Sequence, residues 1–399
     1  MTNHSPVAAL IEAASAATTE LRAQAKAAAR ALVPLRLEPA WQAAAAAVPL
    51  IAAGVIGEAE ARRLLGPERS RLATQAAKLP QPRLAAREAL EGEDPAQAEA
   101  LRRLFLALAQ DLRIVPLVLA AALARLETLK RAPAPAREAA AHEVFILYAP
   151  LANRLGIWQL KWPFEDLALR LAEPRRYAAI ARGLAERREA REARLAAARR
   201  VLEAALAEAA VPAQISGRPK HIYSIWRKMQ RKEVALDELY DLMGLRVVVD
   251  DIAACYAVLG IVHERWRYLP QEFDDYIAAP KGNFYRSLHT AVLDDDGRAL
   301  EVQIRTAAMH REAELGVAAH WHYKEGGPRD PALEDRLAWL RQVLASGEDT
   351  GAHGGFVDAV ATELASERIY ALTPRGRVVD LPTGATPLDF AYAIHTGLG

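Results

Sequence analysis

The strongest constraint on the fold is a pair of adjacent strands joined by a tight turn. Within residues 299–305, the side chains from Leu300 to Arg305 alternate strictly between apolar and polar. Such alternation is typical of a strand that covers a core with one face only. The turn Asp296-Gly297 predicts that this strand pairs with residues 287–293 as a hairpin. The chain is therefore expected to contain an antiparallel pair of strands with one polar face.

A basic helix is predicted before this hairpin. Gly217-Arg218-Pro219 is typical of a helix start, because proline at the first helical position loses no hydrogen bond. The helix is then expected to run to about Lys232, and its polar stripe consists of Lys220, Ser224 and Lys228. Two ammonium groups and a hydroxyl beside free backbone N–H groups would suit a polyphosphate. A solvated basic face is the commoner meaning of lysine at this spacing.

Two carboxylates belong to the same region. Residues 245–249 are a β-branched run that predicts a buried strand, and Asp241 comes just before it. Glu301 lies on the polar face of the hairpin strand. Enzymes of phosphoryl or nucleotidyl transfer typically use two carboxylates to hold Mg²⁺ between the phosphates, and cations to neutralise the remaining phosphate charge. We therefore predict Asp241 and Glu301 as metal ligands and as the catalytic pair.

A polar row leads into the hairpin. If this segment is extended, its odd positions project to one side, and they are Lys281, Asn283, Tyr285, Ser287 and His289. An exposed tyrosine between asparagine and histidine suits a stacked purine. Taken alone, Tyr285 is better explained as an ordinary strand aromatic.

These motifs resemble the synthetase domain of the RelA/SpoT homologues, the (p)ppGpp alarmone enzymes. The resemblance covers five segments in family order and spacing, which are 217–229, 237–246, 281–289, 301–306 and 318–321. It implies a nucleotidyltransferase-like mixed β-sheet with flanking helices. It also implies transfer of the β,γ-pyrophosphate of ATP to the 3′-hydroxyl of GDP or GTP with Mg²⁺ as cofactor. Gly282 departs from the family pattern, because many relatives have proline there.

The resemblance implies a role for each polar residue of the region. The pair that would sandwich adenine is Arg218 and Arg246, and the ATP phosphate ligands would be Lys220, Ser224 and Lys228. The Mg²⁺ carboxylates would be Asp241 and Glu301, and Glu301 would also orient or deprotonate the guanosine 3′-hydroxyl. The guanine-stacking ring would be Tyr285, with Lys281, Asn283, His289 and Gln303 around the acceptor nucleotide.

Residues 1–150 predict an all-α region, rich in alanine, leucine and arginine at helical periodicity. Family relatives carry an HD-type hydrolase here, which holds a divalent metal with several histidines and an adjacent His-Asp pair. His4 is the only histidine before His142 in this chain. The positions where active relatives have Asp, Arg, His and Asn are occupied by Ala121, Ala122, Ala124 and Arg125. We therefore expect an inactive hydrolase domain without (p)ppGpp hydrolase activity, as in the monofunctional, synthetase-only branch.

The remaining segments complete an α+β chain. Connecting helices are expected over 151–210, the synthetase domain over 211–345 and a linker over 346–366. Residues 367–399 resemble the start of a TGS domain, which engages tRNA and the ribosome in longer relatives. His395 matches the histidine that lies near the 3′ end of tRNA. The resemblance therefore implies the ribosome and deacylated tRNA as partners of the full-length protein, besides ATP and GDP or GTP.

Net charge, cysteine content and hydrophobic patterning indicate the compartment in which the protein is expected to work. The formal net charge is only +1, so affinity for polyanions must come from local patches. Cys255 is the single cysteine, so no intrachain disulfide can form and a reducing compartment fits. No signal peptide or membrane span is visible. We expect a cytoplasmic protein without a membrane partner.

Three functional hypotheses differ in class. The favoured one is an ATP:GDP/GTP pyrophosphotransferase, that is, a GTP pyrophosphokinase. A catalytically inactive regulator that binds nucleotide, tRNA or the ribosome is disfavoured, because it would be free to lose Asp241 and Glu301. A nucleotidyltransferase acting on nucleic acid is disfavoured, because no basic track with interleaved aromatic residues is present.

Overall fold

The computed structural model describes residues 5–79, 95–186, 188–236, 243–280, 285–316, 340, 368–372, 378–382 and 386. The chain divides into two units. The first comprises residues 1–173 and 315–365, and the second comprises residues 174–314 and 366–399. Each unit has a hydrophobic core of its own.

All secondary-structure elements described in the first unit are helices or helical turns, which confirms the predicted all-α region. Its helices are α1 Pro6–Ala13, α2 Thr19–Ala31, α3 Pro39–Ala52, α4 Glu58–Leu65, α5 Pro67–Lys78, α6 Pro95–Gln110, α7 Val115–Thr128, α8 Ala134–Glu143, α9 Ala149–Arg154 and α10 Trp158–Ala172. A π-helical turn at Val144–Tyr148 joins α8 to α9, and 3₁₀ turns occur at Val33–Leu35, Leu112–Ile114 and Leu129–Arg131.

Helix α3 lies at the centre of this unit. Every residue from Ala43 to Leu50 is buried, so the helix is covered on all sides. A helix that is apolar all round is stable in water only when neighbours surround it. Here α1, α2, α4, α5 and α7 pack against it. Across the described ranges of the chain, no single helix is long and apolar enough to cross a membrane, although the bent pair Glu99–Gln110 and Leu112–Arg131 meets the length and composition requirement.

The second unit is built on a six-stranded mixed sheet. Its strands are β1 Gln214–Pro219, β2 Met243–Val249, β3 Arg267–Tyr268, β4 Asp274–Asp275, β5 Leu288–Leu293 and β6 Ala299–Thr306. The order is β1-β2-β6-β5-β3, and β4 also pairs with β5. Strands β2 and β6 are parallel, and the other described pairs are antiparallel. The helices are α11 Pro174–Glu186, α12 Arg188–Glu208, α13 Ile222–Lys232, α14 Ile252–Arg265 and α15 Ala307–Leu315.

The predicted hairpin is confirmed. Leu288 pairs with Ile304 and Leu293 pairs with Ala299, with the turn between them. Gly297 has φ +71°, a conformation that glycine adopts without strain. The apolar residues of β6 enter a core shared with α12 and α14, so its polar residues face the other way.

The predicted helix start at Gly217 is wrong. Residues 217–219 form the end of the edge strand β1, and α13 begins only at Ile222. Proline is tolerated at the end of an edge strand as well as at a helix start, so the local pattern fits both. The helix does end at Lys232, as expected. Lys220 therefore lies in the connection before the helix rather than on one stripe with Ser224 and Lys228.

The chain's last described element is a two-stranded antiparallel hairpin. Its strands are β7 Arg368–Leu372 and β8 Val378–Pro382. Ile369 pairs with Leu381 and Ala371 with Val379. His395, the predicted tRNA contact, lies outside the described residues.

Candidate active site

Sheet register places the predicted residues in two rows on one face. Arg218, Gly244 and Glu301 lie side by side on β1, β2 and β6. Two positions further along, Arg246, Gln303 and His289 form the next row on β2, β6 and β5. Side chains two residues apart on a strand share a face, so both rows project away from the core.

Gly244 allows the close packing of β2 beside Glu301. A Cβ atom at this position would lie 3.0 Å from the carbonyl oxygen of Glu301. A larger residue would therefore require the neighbouring backbone of Glu301 to give by a few tenths of an ångström. Gly244 therefore fits closely between Arg218 and Glu301 in the row that the register defines.

Glu301 is the centre of the polar face. Lys220 Nζ lies 2.8 Å from its Oε2, and Gln303 Nε2 donates to its Oε1 at 2.7 Å. Arg218 Nη1 is 3.6 Å and His289 Nδ1 is 3.8 Å from the same Oε1. The carboxylate side chain remains 19% exposed, so it is accessible to a ligand.

These neighbours keep Glu301 ionised. Burial alone would raise the pKa of its carboxyl group. The charges of Lys220, Arg218 and His289, together with the hydrogen bond from Lys220, outweigh that effect and lower the pKa to about 2. Glu301 is therefore an anion at any physiological pH, held among cations.

An aromatic group adjoins this cluster. The hydroxyl of Tyr285 lies 2.8 Å from Nε2 of His289, whose other ring nitrogen faces Glu301. The ring of Tyr276 stands edge-on to both, with centroids 6.2 Å from Tyr285 and 5.2 Å from His289. The predicted residues Tyr285 and His289 are thus brought beside the carboxylate, and Tyr276 joins them without having been predicted.

Arg246 belongs to a second ionic cluster. Its Nη1 lies 3.1 Å from Oε1 of Glu314, and Nη2 of Arg305 lies 3.1 Å from the same oxygen. Burial, and then the charge of Arg305, lower the pKa of Arg246 to about 10, although Glu314 opposes the shift. Alternation in β6 places Arg305 on the polar face, but no sequence signal points to Glu314 on α15.

The other predicted residues are less well connected or not described. Ser224 is exposed in the first turn of α13, and Lys228 is half-buried one turn later. Asp241, Lys281 and Asn283 lie outside the described residues. Within the part of the chain that the structure describes, no three His, Cys, Asp or Glu side chains form a group that could hold a metal ion. Because Asp241 lies outside the described residues, the prediction that Asp241 and Glu301 bind a metal ion together stays a prediction.

The helical unit has a cavity of about 360 Å³. Ala121, Ala122 and Arg125 of α7 line it, together with Tyr148. Arg125 forms an ion pair with Glu143, whose side chain is only 5% exposed. Burial, followed by the charge of Glu143, raises the pKa of Tyr148. Among the described residues that line the cavity, Arg125 alone carries a charge.

Comparison with protein families identifies three matched regions. Residues 217–328 match the family described as the region found in RelA / SpoT proteins. Residues 6–158 match the HD domain family, and residues 369–399 match the TGS domain family.

Individual relatives agree with these matches. A GTP pyrophosphokinase of Escherichia coli is 50% identical over 306 residues, which cover 76% of this chain and 41% of the relative. A GTP pyrophosphokinase of Photobacterium angustum is 48% identical over 312 residues, which cover 77% of this chain and 42% of the relative. The chain thus spans less than half of the length of these two curated relatives. Among solved structures, small alarmone synthetase 1 of Bacillus subtilis bound to its product pppGpp has 24% identity and a TM-score of 0.28, covering 43% of this chain and 93% of that one.

Proposed function

Because the chain belongs to the RelA/SpoT family, we propose that its second unit is an ATP:GDP/GTP 3′-pyrophosphotransferase that makes (p)ppGpp. The observation that carries the proposal is the ionised Glu301, with Lys220 on one carboxylate oxygen and Gln303 on the other. In this arrangement the cations next to Glu301 can bind phosphate groups, and the aromatic rings beside it can stack on a nucleobase. The related GTP pyrophosphokinases support the same reaction class.

In the proposed reaction, the guanosine 3′-oxygen attacks the β-phosphorus of ATP. The bond between that phosphorus and the α–β bridging oxygen breaks, and AMP leaves. Lys220 supplies positive charge for the phosphates of ATP, because it already lies next to the carboxylate at the centre of the site. Its charge stabilises the negative charge that builds up on the transferred group.

Glu301 is assigned to the acceptor hydroxyl. A carboxylate with a pKa of about 2 is a weak base, but it is a strong hydrogen-bond acceptor. In the proposal, ATP phosphates draw Lys220 away from Glu301. Since the charge of Lys220 lowers the pKa of Glu301 more than the charges of Arg218 and His289 do, Glu301 then becomes more basic and accepts the proton of the 3′-hydroxyl more readily.

The chemistry of Glu301 also fits Mg²⁺. Mg²⁺ prefers oxygen ligands, and Glu301 presents an ionised, partly exposed carboxylate. Glu301 and Asp241 would hold the ion. When bound, Mg²⁺ neutralises charge that develops on the transferred phosphates.

Base recognition is assigned to the flanking groups. Arg218 and Arg246 would sandwich adenine, and Tyr285 would stack on guanine with His289 beside it. The ring of Tyr285 is oriented by its hydroxyl contact to His289 and by the edge-on packing of Tyr276. Lys281, Asn283 and Gln303 would complete the acceptor site, and Ser224 and Lys228 would reach the ATP phosphates.

We also propose that the helical unit does not hydrolyse (p)ppGpp. The positions that carry metal and catalytic residues in active relatives are Ala121, Ala122, Ala124 and Arg125, and the three alanines are buried. Arg125 is already paired with Glu143. An apolar wall with one neutralised cation provides neither metal ligands nor a general base.

In the full-length protein, we propose that the TGS region engages ribosomes carrying deacylated tRNA, with His395 close to the tRNA 3′ end, and that the protein is cytoplasmic. Replacing His395 with glutamate in that protein should reduce stimulation by such ribosomes without changing the basal rate. An unchanged stimulation would argue against this contact.

A direct assay tests the synthetase proposal. The protein is incubated with γ-labelled ATP and either GDP or GTP, with and without Mg²⁺. We expect Mg²⁺-dependent formation of labelled ppGpp or pppGpp together with one AMP per product. Nucleotide binding without AMP release would instead favour the inactive regulator.

A further inference from the structure

Glu314 holds two arginines, a buried one and a half-buried one, with a single oxygen. Its Oε1 lies 3.1 Å from Nη1 of Arg246 and 3.1 Å from Nη2 of Arg305. Glu314 lies near the end of α15, and the two arginines are on the parallel strands β2 and β6. One carboxylate therefore joins three elements of the second unit.

Each arginine points to a different part of the proposed site. Arg246 is the proposed adenine contact. The Cζ atom of Arg305 lies 6.0 Å from the ring centroid of Tyr285, within the range of a cation–π contact with the proposed guanine-stacking ring. Arg305 is also fixed by His310, whose Nδ1 lies 2.8 Å from its Nη2.

The two guanidinium groups depend on Glu314 for charge balance. The side chain of Arg305 is only 2% exposed, and its charge disfavours the charged form of Arg246. The Nε atoms of both arginines are buried without a hydrogen-bond partner in the described part of the chain. Without the shared carboxylate, the positive charges of Arg246 and Arg305 would face each other in a site that is largely shielded from solvent. At least one of the two side chains must then move.

Glu314 is not among the groups whose charges lower the pKa of Glu301. The groups whose charges set the pKa of Glu301 are Lys220, Arg218 and His289. A change at Glu314 can therefore disturb the positions of Arg246 and Tyr285 while the proposed catalytic carboxylate keeps its neighbours.

On the basis of the proposed function, we propose that Glu314 is a positioning residue that couples the two nucleotide subsites, by holding Arg246 for adenine and, through Arg305, Tyr285 for guanine. It contacts neither base itself. A variant at Glu314 should therefore lower the affinity for both ATP and GDP. A change at Arg246 should lower mainly the affinity for ATP, and a change at Tyr285 mainly the affinity for GDP.

The test measures equilibrium binding of a non-hydrolysable ATP analogue and of GDP, separately, by calorimetry. For Glu314→Gln we expect both affinities to fall about tenfold or more, because the charged acceptor shared by buried Arg305 and half-buried Arg246 is lost. Arg246→Ala should weaken mainly the ATP analogue, and Tyr285→Ala mainly GDP. An unchanged affinity for either nucleotide in Glu314→Gln would overturn the coupling.

Glu312→Gln is the matched control. Glu312 lies on the same helix and pairs with Arg286 at 3.0 Å, but its side chain is 36% exposed and away from the two arginines described above. We expect both affinities to remain near those of the unchanged protein. An equal fall in Glu312→Gln would mean that α15 is generally sensitive to charge loss and would overturn the specific role of Glu314.

If Glu314→Gln does not fold, Glu314→Asp keeps the charge on a shorter arm. It should weaken both nucleotides, by less than Glu314→Gln is expected to do, and loss of only one would again overturn the inference. The binding assay does not require turnover. Absent (p)ppGpp synthesis with intact binding would therefore refute the proposed reaction and leave the coupling standing.

Discussion

The ammonium group of Lys220 donates to Oε2 of Glu301 at 2.8 Å. Lys220, which we propose to bind the ATP phosphates, thus neutralises the charge of Glu301, which we propose to bind Mg²⁺ and the 3′-hydroxyl. The pair is short but not fully buried, since the two side chains are 16% and 19% exposed. Phosphates of ATP offer Lys220 an alternative anion. In the proposed function, substrate binding would exchange one ion pair for another, and the Glu301 carboxylate would then be available to Mg²⁺ and to the 3′-hydroxyl.

Replacing Glu301 with glutamine should abolish transfer while the fold persists. The change removes a charge but little volume, and losing electrostatic stabilisation of a phosphoryl-transfer transition state costs on the order of 10²-fold or more in rate. We expect the same for Asp241→Asn. AMP release measured with saturating ATP and GDP reports the rate, and circular dichroism checks the fold. Turnover near that of the unchanged protein in both variants would refute the assignment.

Tyr285→Ala should weaken GDP binding much more than ATP binding. Stacking of a base on an aromatic ring is worth about 1–3 kcal/mol, so a tenfold or larger loss for GDP is expected. Tyr285→Phe is the matched control, because it keeps the ring and removes only the hydroxyl that contacts His289. Calorimetric titration with each nucleotide separates the two effects. Equal losses for ATP and GDP in Tyr285→Ala would point to general destabilisation instead.

The ionised carboxylate of Asp111 should stabilise the helical unit, and this stabilisation should be lost at acid pH. Burial raises the pKa of its carboxyl group, but hydrogen bonds from Arg113 and Arg71 and the charge of Arg113 lower it overall. A lowered pKa means that the stabilisation is complete above the unfolded value, about 3.9, and is lost as the pH falls through the folded value. Asp111→Asn should therefore lower the melting temperature at pH 7 and by progressively less below about pH 4.

Thermal melts of Asp111→Asn and the unchanged protein at pH 7 and pH 3 measure this effect. Glu99→Gln is the control, because Glu99 pairs with Arg103 on the surface and its side chain is 51% exposed. Exposed pairs of this kind contribute little, so a shift close to zero is expected at both pH values. The same temperature difference for Asp111→Asn at pH 7 and pH 3 would contradict the role of its ionised form.

The helical unit should release no pyrophosphate from purified ppGpp in the presence of Mn²⁺. The proposal rests on the buried residues Ala121, Ala122 and Ala124 and on Arg125, which is paired with Glu143, because these side chains offer no metal ligand. Pyrophosphate release is measured with a hydrolase-active relative as positive control. Release that requires Mn²⁺ and comes from this protein would show a metal site elsewhere in the chain.

Sequence alone predicts the parts of this protein that depend on local patterns. The strict alternation of β6 and the turn at Gly297 are both local, so the hairpin and its polar face follow directly from the residues. The all-α character of the first unit follows likewise from helical periodicity. The same reasoning fails at Gly217-Arg218-Pro219, which fits a strand end and a helix start equally well. Pairing with β2, a non-local contact, decides between them.

The candidate site shows the same division. Alternation assigns Glu301 and Gln303 to one face of β6, but it does not reveal which cations surround them. Lys220 reaches Glu301 because β1 and β6 flank β2. Glu314 on α15, which follows β6, reaches Arg246 and Arg305 on the adjacent parallel strands β2 and β6. Residue types and faces are encoded locally in the sequence. The charge balance among them depends on distances between segments far apart in the chain, and only the tertiary structure determines those distances.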